Sequence, residues 1–191
     1  ERIYFKHTAR ITVVLSALFK IIKVRKIMDQ MWAPWRMEYI NRKKNSEDVC
    51  VFCAKSTNEE ELRDILILYK GSEVFVVMNL YPYTNGHILI CSNKHTDSLI
   101  DLPASTLTEI MDLSKKSMEI LKSTMSPDGF NFGANIGKAG GAGISDHIHF
   151  HLVPRWEGDT NFMPVIGQGK VIMEGLYDTY DNLKPHYDRL Q

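Results

Sequence analysis

A chain of 191 residues with 44 % hydrophobic and 24 % charged residues has the balance of one ordinary globular domain with short appendages. That balance excludes disorder, collagen-like repeats and a coiled-coil rod, and no run approaches the ~18 uncharged apolar residues of a membrane-spanning helix. The net charge is zero but unevenly spread: residues 1–27 hold seven Lys/Arg against Glu1, which leaves the remainder at −6. A body that acidic is a poor general nucleic-acid binder, because sequence-independent affinity comes from cations on phosphates.

Residues 1–27 carry a nine-residue apolar run, Ile11 to Phe19, between basic flanks. This segment fits a presequence, a membrane-surface helix or an extension ahead of Met28. It is read as an appendage outside the core, with residues 28–191 forming the domain. An aromatic arm containing Trp32, Trp35 and Arg36 comes next, then a polar linker to Asp48. The arm suits packing or contact between subunits. Cys50-x-x-Cys53 follows, and three cysteines in all are too few for a disulfide framework. The pair therefore points to a reduced compartment, read as the cytoplasm, and to a metal or redox use.

An acidic stretch from Asn58 to Leu68 reads as helical. Glu73–Asn79 and His87–Cys91 read as strands around the turn cluster Tyr81-Pro-Tyr-Thr-Asn-Gly86. The clearest helix runs from Pro103 to Met125, with Leu107, Ile110, Met111, Ser114, Met118, Leu121 and Met125 on one face. Ser126-Pro-Asp-Gly129 ends it. Phe130–Asn135 and His147–Val153 read as further strands, separated by the glycine-rich stretch Gly137–Gly143. The tail from Lys170 to Leu190 has helical character, with Leu176, Tyr180 and Leu183 along one side. The expected fold is α+β, an antiparallel meander of about five strands with a long helix and a C-terminal helix.

The sharpest feature is His147-Ile-His149-Phe-His151-Leu-Val153. Side chains alternate along a strand, so the three imidazoles share one face and Ile148, Phe150 and Leu152 the other. Three imidazoles on one face suit a tris-histidine metal site. They equally suit a neutral nucleophile with neighbouring donors, since histidine titrates near pH 6.5. The glycine-rich stretch favours phosphate chemistry, because backbone N–H groups in such a loop form a concavity for anions.

This constellation resembles the histidine triad family of nucleotidyl hydrolases and transferases, whose motif alternates three histidines with apolar residues. Residues 147–153 match that motif throughout. The likeness extends from Cys50 to Val153, through Asn79, Pro82, His87 and Lys94-His95. The segments Trp32–Arg36 and Pro154–Pro164 are similar to a narrower branch of bacterial diadenosine tetraphosphate phosphorylase-like proteins. The resemblance implies that His149 attacks the α-phosphorus of a nucleotide and that His151 hydrogen-bonds phosphate or leaving group. His87 assists, Asn79 holds ribose hydroxyls, and Asn135 with Gly141, Ala142 and Gly143 contacts phosphate oxygens. Water or inorganic phosphate then resolves the intermediate, on diadenosine polyphosphates or adenosine phosphoramidates, and the protein is a homodimer or higher homo-oligomer. Where many members carry a Gln-Ser or Gln-Thr pair, this chain has Gly143-Ile144, so backbone N–H groups or Asn135 must replace those donors.

The resemblance also implies a structural Zn2+ held by Cys50, Cys53, His95 and His147, a Cys2His2 set of the usual tetrahedral kind. The alternative is two reduced cysteines packed under the sheet. Two rival functions stand beside the enzyme: a slow-turnover nucleotide-binding regulatory module, and a zinc hydrolase in which all three triad histidines ligate the metal. Cys91 reads as buried and inert, and His7 and His186 as surface residues. Trp156 is a candidate contact for nucleotide or partner subunit, and Asp159 and Asn161 are candidates for stabilising their loop or approaching the substrate.

Overall fold

A computed structural model of the chain describes residues 50–53, 62–161 and 172–190. The basic appendage, the aromatic arm with Trp32 and Trp35, residues 58–61 and residues 162–171 lie outside them. The described elements are β1 (Ile67–Lys70), β2 (Val74–Met78), β3 (Ile88–Ser92), α1 (Ala104–Met125), β4 (Gly129–Gly133), β5 (His149–Arg155) and α2 (Leu176–Tyr187). All strand pairs are antiparallel, in the order β1-β2-β3-β5-β4.

That order corrects the expected meander. The chain leaves β3 through α1 and returns at β4 on the far edge, and β5 then inserts between β3 and β4. The strand sequences account for it. β4 is Gly-Phe-Asn-Phe-Gly with three exposed residues, a composition suited to an edge. β5 carries Leu152, fully buried, and Val153. Pro154 falls just past the last β3–β5 pair, Ile88↔Leu152. Its missing N–H breaks no ladder bond there, and its carbonyl accepts from Thr84 Oγ1 at 2.8 Å.

β1 is a second correction. The acidic stretch 58–68 reads as helical in the sequence, and its residues 58–61 lie outside the described ones. Residues 62–66 form a turn instead, with Leu66 at φ +63°, and Ile67–Lys70 pair with β2 across an irregularity at Leu68. An apolar run of this length does not distinguish strand from helix. Pairing with β2 decides it, burying Leu66, Ile67 and Leu68.

α1 matches its predicted span, but its buried face is turned from the expected one. Thr106, Ile110, Leu113, Ser114, Ser117, Ile120 and Leu121 face inward, whereas Met111 is 57 % exposed. Met111 and Met118 instead line a shallow groove with Phe130 and Phe132. The helix has no side-chain N-cap. The Glu73 carboxylate accepts from Ser105 Oγ and Thr106 Oγ1 in its first turn, at 3.2 and 2.7 Å. Ser126 closes the helix in the left-handed region at φ 48°.

α2 buries Tyr180, Leu183 and Tyr187, and Tyr180 Oη donates to the Ile67 carbonyl at 2.9 Å. Burial pushes the Tyr180 phenol up to about 12. The core thus ties both helices to the sheet, and β5 is left with its histidines facing away from Ile88 and Ile90.

Candidate active site and metal centre

Register decides which side chains meet. Cys91 pairs with His149 and Leu89 with His151, so these four share one face, whereas Ile88↔Leu152 and Ile90↔Phe150 share the other. His149 and His151 lie in β5 as expected. His147 does not: the strand begins at His149, and His147 belongs to the preceding segment, which Ile148 N–H anchors to the Thr96 carbonyl at 2.7 Å. This offset turns the first imidazole toward the cysteines and separates it from the other two.

Hydrogen bonds to backbone groups fix two tautomers. His149 Nδ1 lies 2.8 Å from the His147 carbonyl, which can only accept. Nδ1 therefore carries the proton, and Nε2 presents a lone pair. Burial lowers the His149 pKa from the ordinary histidine value, and that bond opposes the shift. The ring is thus held neutral, with one nitrogen available as a nucleophile. His147 Nε2 lies 2.7 Å from the Ser92 carbonyl, so its Nδ1 bears the lone pair. Burial lowers its pKa as well.

That Nδ1 faces Cys50 Sγ at 3.4 Å and Cys53 Sγ at 3.6 Å, and His95 Nδ1 lies 3.2 Å from Cys53 Sγ. The ligating atoms of all four residues fall within 4.8 Å of one another. A tetrahedral zinc ion with ordinary bond lengths places sulfur and nitrogen about 3.6 Å apart, so the donor set fits a metal of that kind. The electrostatics agree: burial, then the neighbouring Cys50 sulfur, raise the Cys53 thiol above its ordinary value, a penalty that a bound cation relieves. Among the described residues, the group at ligating distance is this one and not the three triad histidines. The tris-histidine metal site is therefore set aside.

The other side of His149 is polar. Its ring centroid is 5.1 Å from that of His151. His151 Nδ1 lies 3.0 Å from His87 Nε2. His87, just ahead of β3, is fully buried and follows Gly86, whose φ of +71° and close approach to Met125 both require glycine. Asn79 stands beside it, with Nδ2 3.2 Å from His87 Nδ1. Two aromatic residues that sequence reasoning left without a role complete the walls. Phe52 lies 5.0 Å from His149 and 5.4 Å from His147, between ring centroids. Tyr83 stacks on His151 at 5.9 Å and 14°. Phe52 stands between the two cysteines and Tyr83 in a turn cluster, so neither lies in a run whose periodicity would expose it.

The glycine loop is a turn over 137–141 with positive φ at Gly137 and Gly141. Gly141 and Ala142 donate their N–H groups to the Lys138 and Gly137 carbonyls, at 3.1 and 3.3 Å. Phosphate contact from these two amides therefore requires the turn to open. Asn135 is half-buried two residues beyond β4, whose last residue, Gly133, pairs with His151. Cys91 is fully buried, as expected, and His186 is half-buried. Trp156 Nε1 donates to the Met125 carbonyl at 3.3 Å. Asp159 pairs with Arg155 at 2.6 Å and accepts from Trp156 N–H, so it stabilises its loop.

Comparison with known proteins agrees with this geometry. The HIT domain family profile matches residues 61–158. An AP-4-A phosphorylase of Mycobacterium tuberculosis is 34 % identical over 157 residues, 80 % of each chain. A Zn-bound histidine triad family protein from Mycobacterium smegmatis superposes with a TM-score of 0.60 at 25 % identity, over 74 % of this chain and 94 % of that one. The fold is also that of a Plasmodium falciparum diadenosine triphosphate hydrolase, with a TM-score of 0.54 at 17 % identity over 80 % and 96 % of the chains. The alternation of residues 147–153, the sheet that presents it and the extent of these matches agree: the chain belongs to the HIT domain family.

Proposed function

We propose that the chain is a nucleotidyl transferase or hydrolase that cleaves diadenosine polyphosphates, diadenosine tetraphosphate foremost, through a nucleotidyl–histidine intermediate on His149. The observation that carries this reading is the 2.8 Å bond from His149 Nδ1 to the His147 carbonyl, which leaves Nε2 unprotonated on a ring that burial keeps neutral. Family membership and the M. tuberculosis relative support a nucleotide as substrate.

In this reading Nε2 of His149 attacks the α-phosphorus. A P–N bond forms, the α,β-anhydride P–O bond breaks, and its electron pair departs on the nucleoside polyphosphate. Water or inorganic phosphate then attacks phosphorus, the P–N pair returns to Nε2, and the acceptor's proton passes to solvent. His151 hydrogen-bonds the phosphate, His87 supports His151, Asn79 holds ribose hydroxyls, and Asn135 contacts phosphate oxygens, joined by Gly141, Ala142 and Gly143 once the turn over 137–141 opens. Such transfer needs in-line positioning and stabilised equatorial charge more than covalent help.

The second half of the reading is structural. Cys50, Cys53, His95 and His147 hold a Zn2+ that pins residues 50–53, and with them Phe52, beside His149. Residues 1–27 form an appendage to the domain. No described helix is long and apolar enough to cross a membrane, and the cysteine usage fits the cytoplasm. The exposed edge of β4 and the groove of Met111, Met118, Phe130 and Phe132 suit a second copy of the chain.

Product analysis tests the reaction. Incubation with diadenosine tetraphosphate should give ADP and ATP only with inorganic phosphate present, for a phosphorylase, or AMP and ATP in its absence, for a hydrolase. No cleavage under either condition contradicts the enzymatic reading.

A further inference from the structure

The β2–β3 connection, residues 79–87, lays Tyr83 on the histidine pair. The Tyr83 ring centroid lies 4.7 Å from that of His87 and 5.9 Å from that of His151, on which it stacks at 14°. The two imidazoles are 5.2 Å apart, so one phenol ring packs on both. Tyr83 N–H also donates to His87 Nδ1 at 3.0 Å, so a shift of this bend moves both contacts together. Tyr83 belongs to no strand, and two neighbouring side chains attach its bend to the rest of the fold. Thr84 Oγ1 donates to the Pro154 carbonyl in β5 at 2.8 Å. Asn85, which is buried, accepts Met173 N–H at Oδ1 at 2.9 Å and donates from Nδ2 to the Glu174 carbonyl at 3.4 Å. Its amide thus pairs with residues 173–174 as a second backbone would, through one acceptor and one donor.

Residues 173–174 are themselves held. Buried Thr179, in the first turn of α2, donates from Oγ1 to the Glu174 carboxylate at 2.6 Å. α2 is in turn tied to β1 through Tyr180 Oη. The Thr84 bond fixes the bend to β5 at one point, about which it can pivot. The Asn85 pair, one residue on, supplies the second point.

We propose that Asn85 is a positioning residue for nucleotidyl transfer: by docking residues 173–174 on the β2–β3 connection, it holds Tyr83 against His87 and His151 and keeps His151 aligned on the phosphate. The kinetic consequence rests on the nucleotidyl-transfer reading above, whereas the packing does not. The alignment bears on the chemical step, because in-line transfer is steep in geometry and a misplacement of about 1 Å can cost about 10²-fold in rate. Substrate capture depends on it less. Asn79, which holds the ribose in that reading, stands at the end of β2 with its own N–H on the His87 carbonyl at 3.0 Å, away from the docked bend.

Asn85→Ala removes both bonds, and Met173→Pro removes the N–H from the other side. Met173→Ala keeps that N–H, and the side chain it trims is 83 % exposed. Two measurements on the full chain separate packing from reaction. 1H–13C spectra of histidine-labelled protein read the Tyr83 ring current at the Cε1–H groups of His87 and His151, with Tyr83→Leu marking its loss. Single-turnover kinetics with diadenosine tetraphosphate and inorganic phosphate read the maximal rate and the half-saturating concentration. In Asn85→Ala and Met173→Pro the imidazole signals should move toward their Tyr83→Leu positions. The maximal rate should fall roughly tenfold or more, with the half-saturating concentration within about twofold of wild type. Met173→Ala should match the wild type in both measurements. Asn85→Asp keeps the acceptor and loses the donor, so it should fall between wild type and Asn85→Ala, and it decides the case if Asn85→Ala does not fold. Imidazole signals that stay in place overturn the positioning role. Signals that move while the rate does not, or a half-saturating concentration that rises at an unchanged rate, overturn its bearing on the reaction. Signals that move in a protein whose wild type cleaves nothing overturn the nucleotidyl-transfer reading, and the kinetic role of Asn85 with it, while the packing role stands.

Discussion

At position 149 a backbone carbonyl two residues upstream determines which nitrogen can react. The ring is neutral because it is buried, and its lone pair is on Nε2 because Nδ1–H is engaged by the His147 carbonyl. His149→Ala removes that atom and leaves a small cavity beside Phe52. Turnover of diadenosine tetraphosphate should fall by about 10³-fold or more with the fold retained, measured by product formation together with circular dichroism. Alternation in the sequence was enough to single out His147, His149 and His151. It did not separate their roles, because the start of β5 depends on pairing with β3, a contact across the chain. Tyr83 and Phe52 were invisible for the same reason, since Tyr83 meets the site from a bend and Phe52 from the short helical segment 51–53 between the cysteines, neither within a periodic run.

The elements show where local signals suffice and where they fail. α1 was legible end to end, from Pro103 through the Ser126-Pro-Asp-Gly129 stop, because propensity, spacing and breakers agree there. Its buried face was not, since methionine and leucine score alike and only the sheet distinguishes Leu113 from Met111. Leu121 is fully buried. Leu121→Ala should cost about 2–5 kcal/mol, read as a lowered midpoint in urea unfolding with an unchanged slope. Ser126, in the left-handed region without glycine's freedom, offers the opposite case. Ser126→Gly should stabilise by roughly 0.5–1 kcal/mol, and a lower midpoint would show that its side chain holds the cap. β1 was misread because a short apolar run carries no period, and the β1–β2 pairing that decides it is tertiary.

On the scale of the whole molecule, the Cys50, Cys53, His95 and His147 set joins parts of the chain separated by up to 97 residues, so a metal bound there would be linked to the fold. Purified protein never exposed to chelator should contain about one zinc per chain, measured by atomic emission. Cys53→Ser should lower Tm by roughly 5–10 °C, and near-zero zinc with unchanged Tm would remove the site. The β4 edge and its groove make a second whole-molecule prediction. On the proposed pairing of two copies, the wild type should scatter light as an oligomer and Met111→Glu with Phe132→Lys as a single chain of 21.9 kDa; a single-chain wild type contradicts the pairing, and an oligomer unchanged in the variant places the interface elsewhere. The account as a whole turns on a covalent bond between His149 Nε2 and phosphorus. Rapid-quench trapping with diadenosine tetraphosphate radiolabelled at the α-phosphorus tests it most directly. An acid-labile, base-stable adduct on the peptide bearing His149, absent from His149→Ala, is the predicted result; full turnover by the wild type with no such adduct at any quench time would contradict it.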